Sequence, residues 1–241
     1  MRYQWLILQG GSLPLRPDGR TEPQEHLCTS TLVWPADREP SFANSIVVDP
    51  CFGPSGFESV VRRLSDMDAS FRDIGYCLET HQHYDHVSNL PTTRSLLTEG
   101  DSESANMARW VHVGPDDSIP LPGIELISCP GHEPDLMALR FDALDGETWI
   151  VGDAILDQQW LLAWLFYWPN GYLKHEIVET WRTVAKILDT AQVVIPGHGP
   201  PIRVDADLLQ TLIDRFPHAP YSDSCPEVAE TLSDRLQRLG D

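Results

Sequence analysis

Three histidines and one aspartate crowd the positions from His81 to His86, in the run T-H-Q-H-Y-D-H that covers residues 80–86. Imidazole nitrogens and carboxylate oxygens at this density form the ligand set of a metal ion. The apolar residues 74–78 just before the run read as a strand that ends in a loop. In an extended segment alternate side chains point the same way. His81 and His83 can then grip one ion together, Asp85 lies on the same side, and His86 can swing toward a second ion as the chain turns. Gln82 and Tyr84 face away.

Three further positions repeat one local design, a metal-competent side chain beside a glycine at the end of an apolar strand. Gly131-His132 follows a strand ending at Ser128, Gly152-Asp153 follows Trp149-Ile-Val, and Gly197-His198-Gly199 follows residues 193–195. Glycine allows close backbone approach and a left-handed turn, which suits a ligand loop. Each position alone is weak evidence. Their order behind the histidine run makes a shared site the better reading.

The elements that must position these residues can be read from periodicity and turn residues. Strands are expected at 3–8, 27–34, 45–48, 74–78, 110–113, 124–128, 137–141, 148–151 and 193–195. Residues 3–8 and 27–34 could pair across the polar Pro- and Gly-containing segment 12–24, itself either a lid or a surface loop. Helices are expected at 57–67, near Leu90-Pro91, at 176–188 with Ile177, Val178, Trp181, Val184, Ala185 and Leu188 on one face, and twice after Asp205, one ending near Phe216 and one over 226–239. No repeat or linker divides residues 1–241, so one domain is expected.

The pattern H-x-H-x-D-H, then Gly-His, Gly-Asp and Gly-His-Gly, resembles the metallo-β-lactamase superfamily from about Asp49 to Pro201, with all seven ligand positions filled. The resemblance implies an α/β four-layer αββα sandwich, two mixed sheets packed face to face with helices outside. It also implies that His81, His83 and His132 hold one ion, that Asp85, His86 and His198 hold another, and that Asp153 bridges them. The lineage implied is the hydrolase branch similar to glyoxalase II and the lactonases. Three departures bear on activity. Asp153 stands where β-lactamases of the superfamily commonly use a cysteine, which disfavours antibiotic hydrolysis. Asn89 stands where relatives often carry glycine. Leu156 stands where acyl-homoserine lactonases often place a tyrosine, so Tyr167 or Tyr172 would have to substitute as donor.

Nitrogen and carboxylate ligands suit two zinc ions, with iron or manganese able to occupy the same set. Two divalent ions about 3.5–4 Å apart can clamp a shared water and lower its pKa toward about 7, giving a hydroxide that attacks an ester, thioester or lactone carbonyl. Asp85 is the expected catalytic residue, orienting the nucleophile and passing a proton to the leaving group. The alternatives are a mononuclear non-haem iron oxidoreductase resembling the persulfide dioxygenases, and a phosphodiesterase or nuclease. Substrate contacts could come from Trp160, Trp164, Tyr167, Tyr172 and His175. The apolar run 160–168 could line a pocket, pack in the core or form a homodimer face.

Composition narrows the partners. Seventeen basic against 36 acidic residues give a net charge of −19, which repels phosphate backbones and anionic lipid heads. A small-molecule substrate is expected, without nucleic acid or membrane. Five cysteines, an odd number with no C-x-x-C pair, suit reduced thiols. Together with the lack of a recognisable signal peptide, they lead to an expected cytoplasmic location. Cys129, though close to His132 in sequence, reads as a small buried residue.

Overall fold

A computed structural model describes residues 1–16, 26–53, 56–87, 109–110, 119, 121–165 and 172–240. The first half contains β1 (Tyr3–Gln9), β2 (Ser30–Pro35), β3 (Ile46–Val48), α1 (Phe57–Ser65), β4 (Tyr76–Leu78), α2 (Tyr84–Val87) and β5 (Arg109–Trp110). The second contains β6 (Ile124–Ser128), β7 (Met137–Ala143), β8 (Gly146–Ile150), α3 (Gln158–Ala163), α4 (Lys174–Thr190), β9 (Val193–Ile195), β10 (Ile202–Arg203), α5 (Ala206–Arg215) and α6 (Glu227–Gly240). The helix expected near Leu90 and most of the strand expected at 110–113 lie outside the described residues, as does Tyr167.

Side chains in these strands alternate between two cores, as a period of two requires. Val33, Ile46, Val48, Tyr76 and Leu78 from the first half share one buried cluster with Leu139, Phe141, Ile150 and Ile195 from the second. Their strand neighbours Leu32, Val47 and Cys77 instead pack outward with Val60 and Leu64 of α1. In the second half, Ala138, Trp149 and Val194 face outward onto the buried stripes of α4, α5 and α6. The result is helix, sheet face, sheet face, helix, the layering of an αββα sandwich.

One detail differs from the expectation of two separate sheets. The strands run as one ten-stranded mixed sheet in the order β10-β9-β8-β7-β1-β2-β3-β4-β5, with β6 added on β7. Among the described residues, the strands of the two halves pair at one parallel position, Tyr3 with Ala143. β1 is antiparallel to β2, as expected, and β3 and β4 are parallel. The sheet folds back at the β1–β7 junction so that its two inner faces bury each other.

Local chemistry sets the helix ends near the site. Asp157 caps α3 by accepting from Trp160 N (2.9 Å), and Asp205 caps α5 by accepting from Leu208 N (2.9 Å). α3 ends at Trp164, which adopts a left-handed conformation (φ 48°) that a bulky residue rarely takes. Its indole is held by donation to Leu212 O (3.0 Å) and by edge contacts with Trp181 and Phe216. Among the described residues, no helix is long and apolar enough to cross a membrane.

Candidate metal centre

The histidine run leaves β4 as a loop and then departs from the expected extended path. His86 N and Val87 N both donate to His83 O, so Tyr84–Val87 forms a helical turn. Alternation therefore serves His81 and His83, whereas Asp85 and His86 are aimed by α2. Gln82 and Tyr84 point to solvent as expected, Tyr84 with 74% of its surface exposed. The other three ligand candidates arrive at the same place from the loops after β6, β8 and β9.

These residues converge in two groups. His81, His83, His132 and Asp153 offer ligand atoms within 4.8 Å of one another, and so do Asp85, His86 and His198. Asp153 joins the two groups. Its Oδ2 lies 3.3 Å from His132 Nε2 and 3.6 Å from His81 Nε2, and its Oδ1 lies 3.1 Å from both His86 Nε2 and His198 Nε2. His198 Nε2 is also 3.4 Å from Asp85 Oδ2. His81, His86, His132, Asp153 and His198 are buried, while His83 and Asp85 are partly exposed and mark the open side.

Every imidazole in the cluster turns one nitrogen outward to a partner. Thr80 is the clearest case. Its N–H and hydroxyl donate to Asp49 Oδ1 (2.7 Å) and Oδ2 (2.8 Å), so its oxygen is left to accept from His81 Nδ1 (3.1 Å). His198 Nδ1 donates to the carbonyl of Leu27 (2.9 Å). His83 Nε2 bonds Glu133 Oε1 (2.6 Å) and His132 Nδ1 meets the Tyr172 hydroxyl (3.2 Å), while His86 Nδ1 lies 3.1 Å from Asp49 Oδ2 as an ion-pair contact without hydrogen-bond alignment. The remaining nitrogens, Nδ1 of His83 and Nε2 of the other four, point at the centre. Fixing the outer nitrogen in this way sets the tautomer and ring angle of a metal-binding histidine.

The same geometry tests whether a cation fits. His81 Nε2 is fully buried and has no hydrogen-bond partner. His83 Nδ1 and His132 Nε2 lie 2.9 Å apart, both on the inward side of rings anchored outside. Burying an unpaired acceptor costs about 1–3 kcal/mol, and burying a carboxylate such as Asp153 costs several more. Without a cation, only protons can hold this set together. Burial pushes the Asp153 carboxyl up, but the imidazoles of His198, His86 and His81 outweigh it and hold the group well below the usual carboxylate range. Burial pushes His86 down, yet Asp153 and Asp49 outweigh it and hold the imidazolium well above its ordinary value. His198 is raised as well, against its burial, chiefly by Asp153. Anionic and cationic character is already paired around the point where the ligand atoms meet, and this donor set fits one or two divalent ions.

Glycines give the cluster its room. A β-carbon on Gly197 would sit 2.1 Å from Asp153 Oδ1 and 3.0 Å from the Gly152 carbonyl. A β-carbon on Gly131 would meet the backbone of Thr180 at 2.6 Å, and Gly131 also has a φ of +134°. The two halves of the sheet are stitched together at this point: Thr29 N donates to Gly197 O (2.6 Å), and Met137 N donates to Thr80 O (2.9 Å).

The candidate substrate residues divide. Trp164 is buried in the core among the helices and does not line the space beside His132. Trp160 is buried, donates its indole N–H to Leu13 O (2.8 Å), and lines a cavity with Leu156, Leu161, Leu165 and Trp181 beside His132 and Asp153. Tyr172 stands behind His132 rather than over the centre. Burial and the negative charge of Glu133, Asp153 and Glu176 raise its phenol, which keeps its proton at neutral pH. His175 is exposed in the first turn of α4 and is not among the clustered residues. Cys129 is buried as expected, and burial pushes its thiol up to about 11.

Sequence reasoning missed Asp49, Thr80 and Glu133. Asp49 sits just past β3 in a left-handed conformation (φ 48°), which aspartate tolerates, and its carbonyl accepts from the Ser30 hydroxyl. The only local signal was an aspartate before proline at a strand end.

Known proteins bear on the assignment. Over 159 residues, 63% of this chain, the sequence is 28% identical to human metallo-β-lactamase domain-containing protein 1, and that stretch spans 57% of the human protein. It is 28% identical to the Xenopus laevis protein of the same name over 66% of this chain and 68% of the relative. The fold aligns with a metallo-β-lactamase family protein from Thermus thermophilus at a TM-score of 0.52 and 16% identity, covering 89% of this chain and 78% of that one. A Thermotoga maritima structure bearing the metallo-β-lactamase name aligns at 0.55 and 17% identity, covering 84% and 100%. No family model matches the chain. The chain is thus similar in sequence to proteins named for a metallo-β-lactamase domain, and it shares the fold of solved structures that carry the metallo-β-lactamase name.

Proposed function

We propose that the protein is a metal-dependent hydrolase with a two-metal centre, acting on a small ester, thioester or lactone. The observation that carries this reading is the approach of four imidazoles, His81, His86, His132 and His198, to within 3.6 Å of Asp153, with His83 beside His132 in the same group. His81, His83 and His132 would hold one ion, Asp85, His86 and His198 the other, and Asp153 both. Bound zinc would supply Lewis-acid polarisation of a carbonyl and a more acidic water. Asp85, partly exposed and 3.4 Å from His198, would hold a proton and return it to the leaving group. Leu156 and Trp160 are buried beside His132 around a space of about 20 Å³, so they would exclude water from that flank of the centre and leave substrate to enter from the open side at His83 and Asp85.

The test is metal analysis of purified protein, followed by turnover of lactones, thioesters, phosphodiesters and β-lactams by protein loaded with zinc, iron or manganese. Near two ions per chain with hydrolysis of a carbonyl substrate is expected. Metal-free protein indifferent to chelators would overturn the reading. One iron per chain with thiol-dependent oxygen consumption would replace hydrolysis with oxidation.

A further inference from the structure

His83 differs from the other clustered histidines in its support. His81, His86, His132 and His198 are enclosed, so packing restrains their rings in addition to their outer partners. His83 has about a third of its side chain exposed. Its ring touches His81 and His132 edge-on, at centroid distances of 4.7 Å each, and neither contact tells one nitrogen from the other. Two contacts do so: Nδ1 approaches His132 Nε2 on the inward side, where a metal would come between them, and on the outer side Nε2 makes a 2.6 Å bond to Glu133 Oε1. A carboxylate can only accept from this nitrogen, so the proton lies on Nε2 and the lone pair of Nδ1 faces inward, 2.9 Å from His132 Nε2.

Glu133 follows His132 directly in the turn between β6 and β7, so one short loop carries a ligand and the brace of another ligand. The ordinary alternative is a half-exposed ion pair worth 0–1 kcal/mol. That alternative does not account for where the other nitrogen points. A half-exposed ring turned over about its own axis would present carbon to the centre, and the bond to Glu133 opposes that turn.

Building on the metal-centre reading, we propose that Glu133 is a positioning residue for the site formed by His81, His83 and His132. It selects the tautomer and orientation of His83 and thereby tightens metal binding at that site. The role requires an acceptor at this position, which an amide oxygen also provides.

The test is cobalt titration of the metal-free full chain, reading affinity and the visible ligand-field spectrum, for wild type, Glu133→Ala and Glu133→Gln. Outer partners of metal-bound histidines typically contribute about 10–100-fold in affinity. Glu133→Ala is expected to weaken one of two binding events by that factor and to alter its spectrum, leaving the other event unchanged. Glu133→Gln is expected to stay close to wild type in both. Matching melting curves of the metal-free variants establish that the fold is kept. Wild-type affinity and spectrum in Glu133→Ala would overturn the proposal, and so would equal losses in both variants. Wild-type protein that takes up no cobalt would overturn the metal-centre reading itself, together with this inference.

Discussion

Asp49 and His86 face each other across 3.1 Å in the interior, the aspartate 1% and the histidine 0% exposed. The same carboxylate receives both donors of Thr80, whose oxygen orients His81. One residue outside the ligand set therefore supports a histidine in each group. Asp49→Ala should leave His86 without its outer partner and free the Thr80 hydroxyl to turn. Breaking a buried charged pair costs about 3–5 kcal/mol. Melting of the metal-free protein should fall by roughly 10 °C, with weaker binding at both metal sites. An unchanged melting curve in differential scanning calorimetry would contradict the arrangement.

Asp85 separates chemistry from assembly. It is one of three ligand candidates in its group, it is partly exposed, and it sits on a single helical turn. Asp85→Asn should preserve the fold and much of the bound metal while lowering kcat about 10²–10⁴-fold, the range for a lost general acid or base. Metal content by mass spectrometry beside steady-state rates gives the comparison. Turnover at the wild-type rate would remove Asp85 from the reaction.

Protons and metal should compete for the centre. In the metal-free fold Asp153 and Asp49 outweigh burial and raise His86, and Asp153 likewise raises His198, so both keep a proton to higher pH than a free imidazole. A raised imidazole stabilises the fold below its unfolded pKa, about 6.5, and loses that contribution as pH climbs through the folded value. The depressed Asp153 contributes above about 3.9 and loses its share as pH falls through its own lowered value. The metal-free protein should thus be less stable on the alkaline side of neutrality than near pH 7. Zinc requires neutral imidazole, so binding at pH 7 should release protons. Calorimetry in buffers of different ionisation enthalpy measures that release, and binding heats independent of buffer would contradict the raised imidazoles.

Gly197→Ala should act on the centre without any change in a ligand. The added carbon at 2.1 Å from Asp153 Oδ1 forces that carboxylate to rotate, and the Gly152 carbonyl at 3.0 Å limits backbone relief. Loss of at least one ion per chain is expected, with the far-ultraviolet circular dichroism spectrum retained. Full metal content would show that the loop can yield.

The parts of this molecule that were legible in the sequence are those whose signal is local. His81 and His83 stood out by type and spacing, and the buried stripe of α4 stood out by its helical period. What escaped depends on partners far along the chain. Asp49 gains its role only because β3 lies beside β4, and the Leu27 carbonyl only because the β9 loop reaches across to it. Glu133 looked like one more acid in a chain with 36 of them. α2 is one helical turn long, too short for periodicity to reveal, so from sequence Asp85 reads as part of an extended run. Trp164 stood in an apolar run that suited pocket and core equally, and packing against Trp181 and Phe216 decided the matter.

The strand pair that joins the halves of the sheet has a consequence for biogenesis. During synthesis, the stretch bearing His81 to His86 emerges long before β8 and β9, so a nascent chain can offer a cation only part of the final cage. Complete capture must wait for the most distant contacts in the fold, those slowest to form by loop-closure entropy. The metal would then lock a finished scaffold rather than nucleate it.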